Sequence, residues 1–195
     1  AAAEGTPVVR SLDERLDVAR AVAEGAAVLL ENDGALPLVP GARVAVIGAF
    51  AREPRYQGAG SSKINPVSLD CAWDALAAAG AAASYAPGYD AATGEADEAL
   101  LDEAARIAAA ADVAVVFVGL PDASESEGAD RVDMALPAGH NALVERVCAA
   151  NPNTVAVLQG GSPVELPWRG RPRAVLLCYL VGCRGGQAAA DLLLG

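Results

Sequence analysis

The chain has 195 residues, of which 53% are hydrophobic, and its formal net charge is −11. This length and hydrophobic content are enough for one domain with a substantial core. No uninterrupted apolar run approaches the ~18 residues of a membrane span, which argues against a membrane protein. The excess of 25 acidic over 14 basic side chains, with no basic patch, argues against nucleic-acid binding.

Helical and extended patterns alternate along the chain. Apolar residues at helical spacing predict helices at residues 11–33, 66–80, 96–111, 137–150 and 185–194. Short apolar runs predict strands at residues 43–48, 82–86, 112–120, 154–159 and 174–180. Ser11 and Glu14 fit a capping box at the start of the first helix, and Asn32-Asp33-Gly34 is expected to end it.

Apolar strands that alternate with helices are typical of parallel βαβ units. Strands without an alternating polar face are expected to be covered on both faces. The sequence therefore predicts an α/β fold: an open, mostly parallel sheet of about five to six strands with helices on both faces, as in a three-layer α/β/α sandwich. Ligands of such sheets bind beyond the carboxyl ends of the strands, here after Gly48, Leu120, Gln159 and Leu180.

Several common catalytic and nucleotide-binding motifs are absent. The stretch after Gly48 lacks G-x-G-x-x-G, and Lys63 is preceded by Ser62 where a phosphate-binding loop needs glycine. G-x-S-x-G is also absent, and His140, the sole histidine, lies on an ordinary amphipathic pattern and is predicted to be a surface residue. We therefore expect neither nucleotide binding nor a Ser-His-Asp triad.

The cysteines bear on metal binding and cellular location. None of the four forms a C-x-x-C pair, so no metal site and no cofactor are expected. Cys148 and Cys178 lie in apolar patterns and are predicted to be buried free thiols. Free thiols favour a reducing compartment, and residues 1–5 lack the features of a secretory signal, so the sequence favours a cytoplasmic protein.

The segment after the strongest predicted strand is acidic. It contains five carboxylates within twelve residues: Asp122, Glu125, Glu127, Asp130 and Asp133. Mutual repulsion tends to raise the pKa of the least solvated of them, and a carboxyl protonated near neutral pH is suited to general-acid catalysis. Alternatively, the segment is a solvated acidic surface loop or a cation site, although it lacks EF-hand spacing.

The same segment carries a family resemblance. Residues 125–131 (ESEGADR), followed by Leu136-Pro137 and by residues 151–155 (NPNTV), resemble glycoside hydrolase family 3 β-glucosidases. Further matching motifs occur in order along nearly the whole chain: residues 28–33 (VLLEND) with 36–38 (LPL), 46–48 (VIG), 56–63 (YQGAGSSK), 161–168 (GSPVELPW) and 185–187 (GGQ).

The resemblance implies the second domain of a two-domain glycosidase. In the family, a barrel domain carries an aspartate nucleophile, and an α/β sandwich supplies the acid/base glutamate, which corresponds to Glu127. The resemblance also implies that Ser61, Ser62 and Lys63 contact the leaving-group side of the sugar, and that Asp130 and Arg131 shape the loop through an ion pair.

The implied domain organisation is a linker and lead helix at residues 1–40, following an absent barrel domain, and a sandwich domain at residues 41–195 that lacks its C-terminal end. The implied partners are a small glycoside substrate and the barrel, without nucleic acid or membrane. The implied reaction is retaining hydrolysis, and the 195-residue chain alone is expected to be inactive.

Three alternatives remain open from the sequence. Glu125 lies two residues before Glu127 and competes for the acid/base role. The domain is alternatively a non-catalytic module that binds sugars or another small ligand. A regulatory doubly wound domain is disfavoured because no acidic cluster follows the first predicted strand.

Overall fold

The computed structural model describes residues 10–195. Residues 1–9, which include the start of the predicted linker and the segment without signal features, lie outside the described part. The strands are β1 (Val28–Asn32), β2 (Val44–Ile47), β3 (Ala82–Ala86), β4 (Val113–Gly119), β5 (Thr154–Gln159) and β6 (Ala174–Leu177). The helices are α1 (Leu12–Ala26), α2 (Ala72–Ala78), α3 (Glu98–Ala109), α4 (Ala138–Ala150) and α5 (Gly185–Leu194).

The six strands form one sheet in the order β1-β6-β5-β4-β2-β3. All neighbours are parallel except β1, which pairs antiparallel with β6 at one edge. Helices α3 and α4 pack together, as α5 does with α1 and α2. The predicted three-layer α/β sandwich is confirmed. None of the helices within residues 10–195 combines the length and apolar character that a membrane crossing requires.

The central strands are covered on both faces, as their unbroken apolar runs predict. Every residue of β2 and β5 is buried, and β4 is buried after its first residue. Because the parallel strands share one direction, the loops after β2, β4, β5 and β6 all leave the same edge of the sheet. We call this the carboxyl edge.

The first predicted helix is wrong over its last seven residues, 27–33. Its start is confirmed, since Ser11 and Glu14 form the capping box, but the helix ends at Ala26 and residues 28–32 form β1. Leu30 fits the helical spacing, yet Val28-Leu29-Leu30 also suits an extended edge strand, and pairing with β6 selects that conformation. The sheet therefore includes residues before the predicted domain boundary at position 41.

Other element ends differ by a few residues. Helix α2 begins at Ala72, whereas the pattern predicts a start at residue 66, and Pro66 lies outside the helix. Strand β6 ends at Leu177 rather than 180, and Tyr179 then adopts a φ of 54°. The remaining predicted helices and strands are confirmed in position, with ends shifted by two residues or fewer.

The described cysteines are free thiols. Cys178 is buried as predicted, and burial raises the pKa of its thiol to about 12. Cys148 is half-buried, and desolvation raises its pKa to about 11. Both thiols are therefore protonated at neutral pH and are poor nucleophiles.

His140 is not a surface residue. Its side chain is fully buried, with its ring 3.8 Å from the Tyr89 ring and 5.4 Å from the Phe50 ring, measured between centroids. Its Nδ1 accepts a hydrogen bond of 3.1 Å from the backbone N–H of Gly119. Burial lowers the pKa of His140 to about 4, so the imidazole is neutral at pH 7. The prediction failed because α4 packs its His140 face towards the end of β4.

The buried imidazole predicts an acid-sensitive contribution to stability. The unfolded chain takes up a proton at His140 near pH 6.5, whereas the folded chain does so only near pH 4. The free energy of unfolding should therefore fall by about 3 kcal/mol between pH 7 and pH 4 because of this residue. Urea denaturation of wild type and His140→Gln, whose amide retains an acceptor for Gly119, measures the effect. Parallel pH profiles for the two proteins would contradict it.

Candidate active site

Two loops meet at the carboxyl edge of the sheet. The loop after β2 and the loop after β4 are joined by a hydrogen bond of 3.1 Å from the backbone N–H of Glu127 to the carbonyl of Ala59. Ala59 and Ser126 also form an isolated parallel bridge. The pairing places the motif at residues 56–63 directly beside the acidic motif at residues 125–131. This agrees with the sheet, in which β2 and β4 are parallel neighbours.

Glu127 and Ser61 are in direct contact across this junction. The Glu127 carboxylate accepts a hydrogen bond of 2.9 Å from the Ser61 backbone N–H and another from the Ser61 hydroxyl. These hydrogen bonds, the hydroxyl first, lower the pKa of Glu127 below its usual value. An acid role requires the opposite shift, so the repulsion expected to raise a carboxyl pKa in this loop does not act on Glu127 in this chain.

A cavity of about 470 Å³ opens beside Glu127. Its walls include Gly58, Glu125, Met134 and Leu180. Glu127 itself is exposed. The arrangement places a solvent-accessible carboxylate in the lining of a cavity, on the edge of the sheet where ligands of α/β proteins bind.

Lys63 and Ser62 lie apart from Glu127. The Lys63 ammonium forms a 2.6 Å ion pair with Asp122, so its charge is directed to the start of the acidic loop. Ser62 is exposed. Of the three predicted substrate-binding residues, only Ser61 touches Glu127.

The acidic loop is partly neutralised by a residue that the sequence analysis missed. Arg55, whose side chain is 6% exposed, forms ion pairs with both Asp122 and Glu125. Its position after Pro54 in the loop following β2 was the available signal, because that loop shares the carboxyl edge with the acidic segment. Two of the five carboxylates therefore face a buried cation rather than one another.

Arg131 supports the loop through backbone contacts. Its guanidinium donates hydrogen bonds of 2.8 Å to the Pro163 carbonyl and 2.9 Å to the Ala135 carbonyl. The ion pair expected between Asp130 and Arg131 is absent from the contacts of the described chain, and Asp130 is exposed. The expectation failed because two carbonyl groups lie within reach of the guanidinium fork. Gly128, at φ 79°, provides the backbone freedom expected beside Glu127.

Glu125 and Glu127 have different surroundings. Glu125 is only 14% exposed, and its oxygens accept hydrogen bonds of 2.9 Å from the Gly161 N–H and 2.5 Å from the Ser162 hydroxyl, besides pairing with Arg55. Glu127 is exposed, and within the described residues it has no ion pair. Both Glu125 oxygens thus accept hydrogen bonds from neighbouring groups of the chain, whereas Glu127 is available to a ligand.

Gly60 permits the close approach of the two loops. Its φ is 107°, and a Cβ on this residue would lie 2.6 Å from the Cβ of Glu127. Glycine therefore suits this position for two reasons: it can adopt the positive φ, and it leaves space for the Glu127 side chain.

Within residues 10–195 there is no group of three or more His, Cys, Asp or Glu side chains arranged to hold a metal ion.

Replacing Gly60 by Ala should separate Ser61 from Glu127. The methyl group collides with Glu127, and the positive φ adds strain of about 1–3 kcal/mol. We expect the pKa of Glu127 to rise towards that of an ordinary glutamate, because the Ser61 donors that lower it are displaced. Carbon-13 NMR titration of the carboxyl group measures this shift. Gly58→Ala is the matched control, because a Cβ there meets nothing within 4 Å. An unchanged Glu127 pKa in Gly60→Ala would contradict the expectation.

The family assignment follows from comparison with known proteins. A family model described as the glycosyl hydrolase family 3 C-terminal domain matches residues 27–195. The chain belongs to glycosyl hydrolase family 3. The elements from β1 to α5 lie within the match to the C-terminal domain of that family, and the motif resemblance in the sequence is confirmed.

Relatives and solved structures agree with this assignment. The chain is 46% identical over 182 residues to thermostable beta-glucosidase B of Acetivibrio thermocellus, covering 91% of the chain and 24% of that relative. It is 44% identical to an exo-alpha-(1->6)-L-arabinopyranosidase of Bifidobacterium longum, covering 94% of the chain and 26% of the relative. The family 3 beta-glucosidase structure from Bifidobacterium adolescentis superposes with a TM-score of 0.91 at 42% identity, over 98% of this chain and 28% of that one.

The family 3 C-terminal domain is a minor part of these proteins. The chain spans about a quarter of the length of the two curated relatives. These two relatives, a beta-glucosidase and an exo-alpha-(1->6)-L-arabinopyranosidase, differ from each other in sugar and in linkage.

Proposed function

We propose that this chain is the domain of a retaining β-glycosidase, with β-glucosides as the favoured substrates, and that Glu127 is the acid/base residue. The observation that carries the proposal is the position of Glu127: an exposed carboxylate without an ion pair among the described residues, beside a cavity at the carboxyl edge. The similarity to thermostable beta-glucosidase B supports the reaction class.

The proposed reaction needs a second carboxylate from a barrel domain. That carboxylate attacks the anomeric carbon while protonated Glu127 gives its proton to the leaving oxygen, and the glycosidic bond breaks. Ionised Glu127 then takes a proton from water, whose oxygen attacks the anomeric carbon and releases the barrel carboxylate. A retaining mechanism places the two carboxyl groups about 5–5.5 Å apart.

The barrel carboxylate also accounts for the raised pKa that keeps Glu127 protonated for the acid step. Two carboxylates at this separation disfavour each other's ionisation, so the pKa of Glu127 should rise when the domains meet. Once the glycosyl-enzyme forms, the barrel carboxylate is esterified and its charge is lost, so the pKa of Glu127 falls again. Glu127 can then act as the base. Ser61, in contact with the carboxylate, is placed to assist its ionised form.

The isolated 195-residue chain should not hydrolyse glycosides. It lacks the proposed nucleophile, so neither half of the double displacement can proceed. Assay of the purified chain against p-nitrophenyl β-glucoside, beside the full-length parent protein, tests this expectation. Turnover by the purified chain would overturn the division of the site between two domains. An inactive full-length parent that still binds glucosides would favour the non-catalytic module.

A cytoplasmic location is part of the proposal. Its support is that the four cysteines are free thiols in the structure, since oxidising compartments favour disulfides.

A further inference from the structure

Arg55 lies where three loops of the carboxyl edge meet. Its Nε donates a hydrogen bond of 2.5 Å to the Leu120 carbonyl, at the end of β4, and its backbone N–H donates one of 3.0 Å to the Gln159 side chain, at the end of β5. Its guanidinium also pairs with Asp122 and Glu125 in the acidic loop. The Arg55 side chain thus holds the loop after β2 against the end of β4, and its backbone N–H joins the same loop to the end of β5.

Glu125 extends this connection to the loop after β5. One of its oxygens accepts from the Gly161 N–H and the other from the Ser162 hydroxyl. A Cβ on Gly161 would lie 3.1 Å from a Glu125 oxygen, so the backbone there approaches the carboxylate closely. Arg55 and Glu125 together, which we call the clamp, connect the loops after β2, β4 and β5.

Glu127 lies two residues beyond Glu125, at most about 7 Å along the chain. Its own attachments are the backbone hydrogen bond to Ala59 and the contacts with Ser61. All of these partners belong to the loop after β2, which also contains Arg55. The clamp therefore fixes both segments between which Glu127 is held, although Arg55 makes no contact with Glu127 itself.

We propose that Arg55 and Glu125 are positioning residues that hold Glu127 in place for proton transfer, and that Glu125 is not itself the acid. The role assigned to Glu127 rests on the proposed function. The Glu125 oxygens are engaged by the Gly161, Ser162 and Arg55 donors, which leaves no oxygen free for a leaving group. Asp122, in the loop after β4, takes part by forming ion pairs with both Arg55 and Lys63 in the loop after β2.

The guanidinium group suits this position better than an ammonium group would. Its planar fork reaches Leu120, Asp122 and Glu125 in fixed directions, whereas lysine presents a single point charge. Arg55→Lys therefore keeps the positive charge but loses the geometry. Arg55→Met loses both. Comparison of the two variants separates positioning from simple electrostatic attraction.

The first experiment uses the 195-residue chain and does not depend on catalysis. Carbon-13 NMR titration follows the Glu127 carboxyl group in wild type, Arg55→Lys, Arg55→Met and Glu125→Gln. Positioning by the clamp predicts that the Glu127 pKa rises in all three variants, because the Ser61 donors are no longer held against it. A rise in Arg55→Met alone, or in none of the variants, would overturn the proposal.

The second experiment measures kinetics in the full-length parent protein. Misplacement of a catalytic group by about 1 Å can cost about 100-fold, so Arg55→Lys should lower kcat on alkyl β-glucosides by about 10- to 100-fold, with KM changed by less than about twofold. The matched control is Asn151→Ala. Asn151 is also buried and donates to two carbonyls, those of Ala108 and Ala111, but it lies at the opposite end of the sheet.

The control separates positioning from general loss of stability. Asn151→Ala should lower the melting temperature and leave kcat near wild type. A loss of kcat in Asn151→Ala as large as that in Arg55→Lys would overturn the proposal, as would an unchanged kcat in Arg55→Lys. If the proposed function is wrong, Glu127→Gln should leave the activity of the full-length parent protein unchanged. The NMR titration still reports whether the clamp positions Glu127, so the two failures are distinguishable.

Discussion

Replacing Glu127 by Ala in the full-length parent protein should lower kcat/KM on alkyl β-glucosides by about 1,000-fold. On aryl glucosides with very acidic leaving groups, the loss in the first chemical step should be about 10-fold or less. General-acid catalysis contributes about 10²- to 10⁴-fold, and it matters most where the leaving oxygen is a poor leaving group. Steady-state kinetics over a series of leaving groups measures the difference. Equal losses on all substrates would contradict an acid role for Glu127.

The pH profile decides between Glu127 and Glu125. Removal of the acid should abolish the alkaline limb of kcat/KM, since this limb reports the ionisation of the group that donates the proton. We expect Glu127→Gln to lose the limb and Glu125→Gln to retain it at reduced activity. The converse result would assign the acid role to Glu125 and would exclude the proposed positioning role of that residue.

Gly48→Ala should destabilise the chain by more than about 4 kcal/mol, a loss at the extreme of single substitutions. Gly48 follows β2 with a φ of 103°, and a Cβ there would overlap the backbone carbonyl of Phe117 in β4. The strain and the collision act together, and neither neighbour can move because β2 and β4 are paired. Urea denaturation of the two proteins gives the difference in unfolding free energy.

Gly41→Ala separates the two causes. Gly41 has a φ of 80°, but a Cβ there meets nothing within 4 Å. Its substitution should therefore cost only the strain of the left-handed conformation, about 1–2 kcal/mol. Equal destabilisation by Gly41→Ala and Gly48→Ala would show that the approach to Phe117 contributes nothing.

The fold was predictable where the apolar pattern has one interpretation. The runs that became β2, β4 and β5 are short, unbroken and rich in valine, which favours strands covered on both faces, and parallel strands then fix the edge at which the loops gather. The pattern was ambiguous at residues 28–30, which fit a helix and a strand equally well. Only the availability of β6 as a partner, far along the chain, decides for the strand.

The site was predictable in its location more than in its chemistry. The topology brings the loops after β2 and β4 together, so the contact between Ser61 and Glu127 follows from the order of the strands. The clamp does not follow, because nothing in the residues around Arg55 shows that its guanidinium turns inward towards Glu125. The same holds for His140, whose burial depends on how α4 is rotated against the sheet.

The pairing of β1 with β6 has a consequence for biosynthesis. Val28 lies opposite Leu177, about 150 residues later in the chain. At translation rates of about 5–20 residues per second, the synthesis of β6 follows that of β1 by a time on the order of 10 s. The parallel pairing of β2, β3 and β4 requires only residues that are made earlier. The nascent chain can therefore assemble the middle of its sheet while β1, with Leu29 and Leu30, joins the edge last.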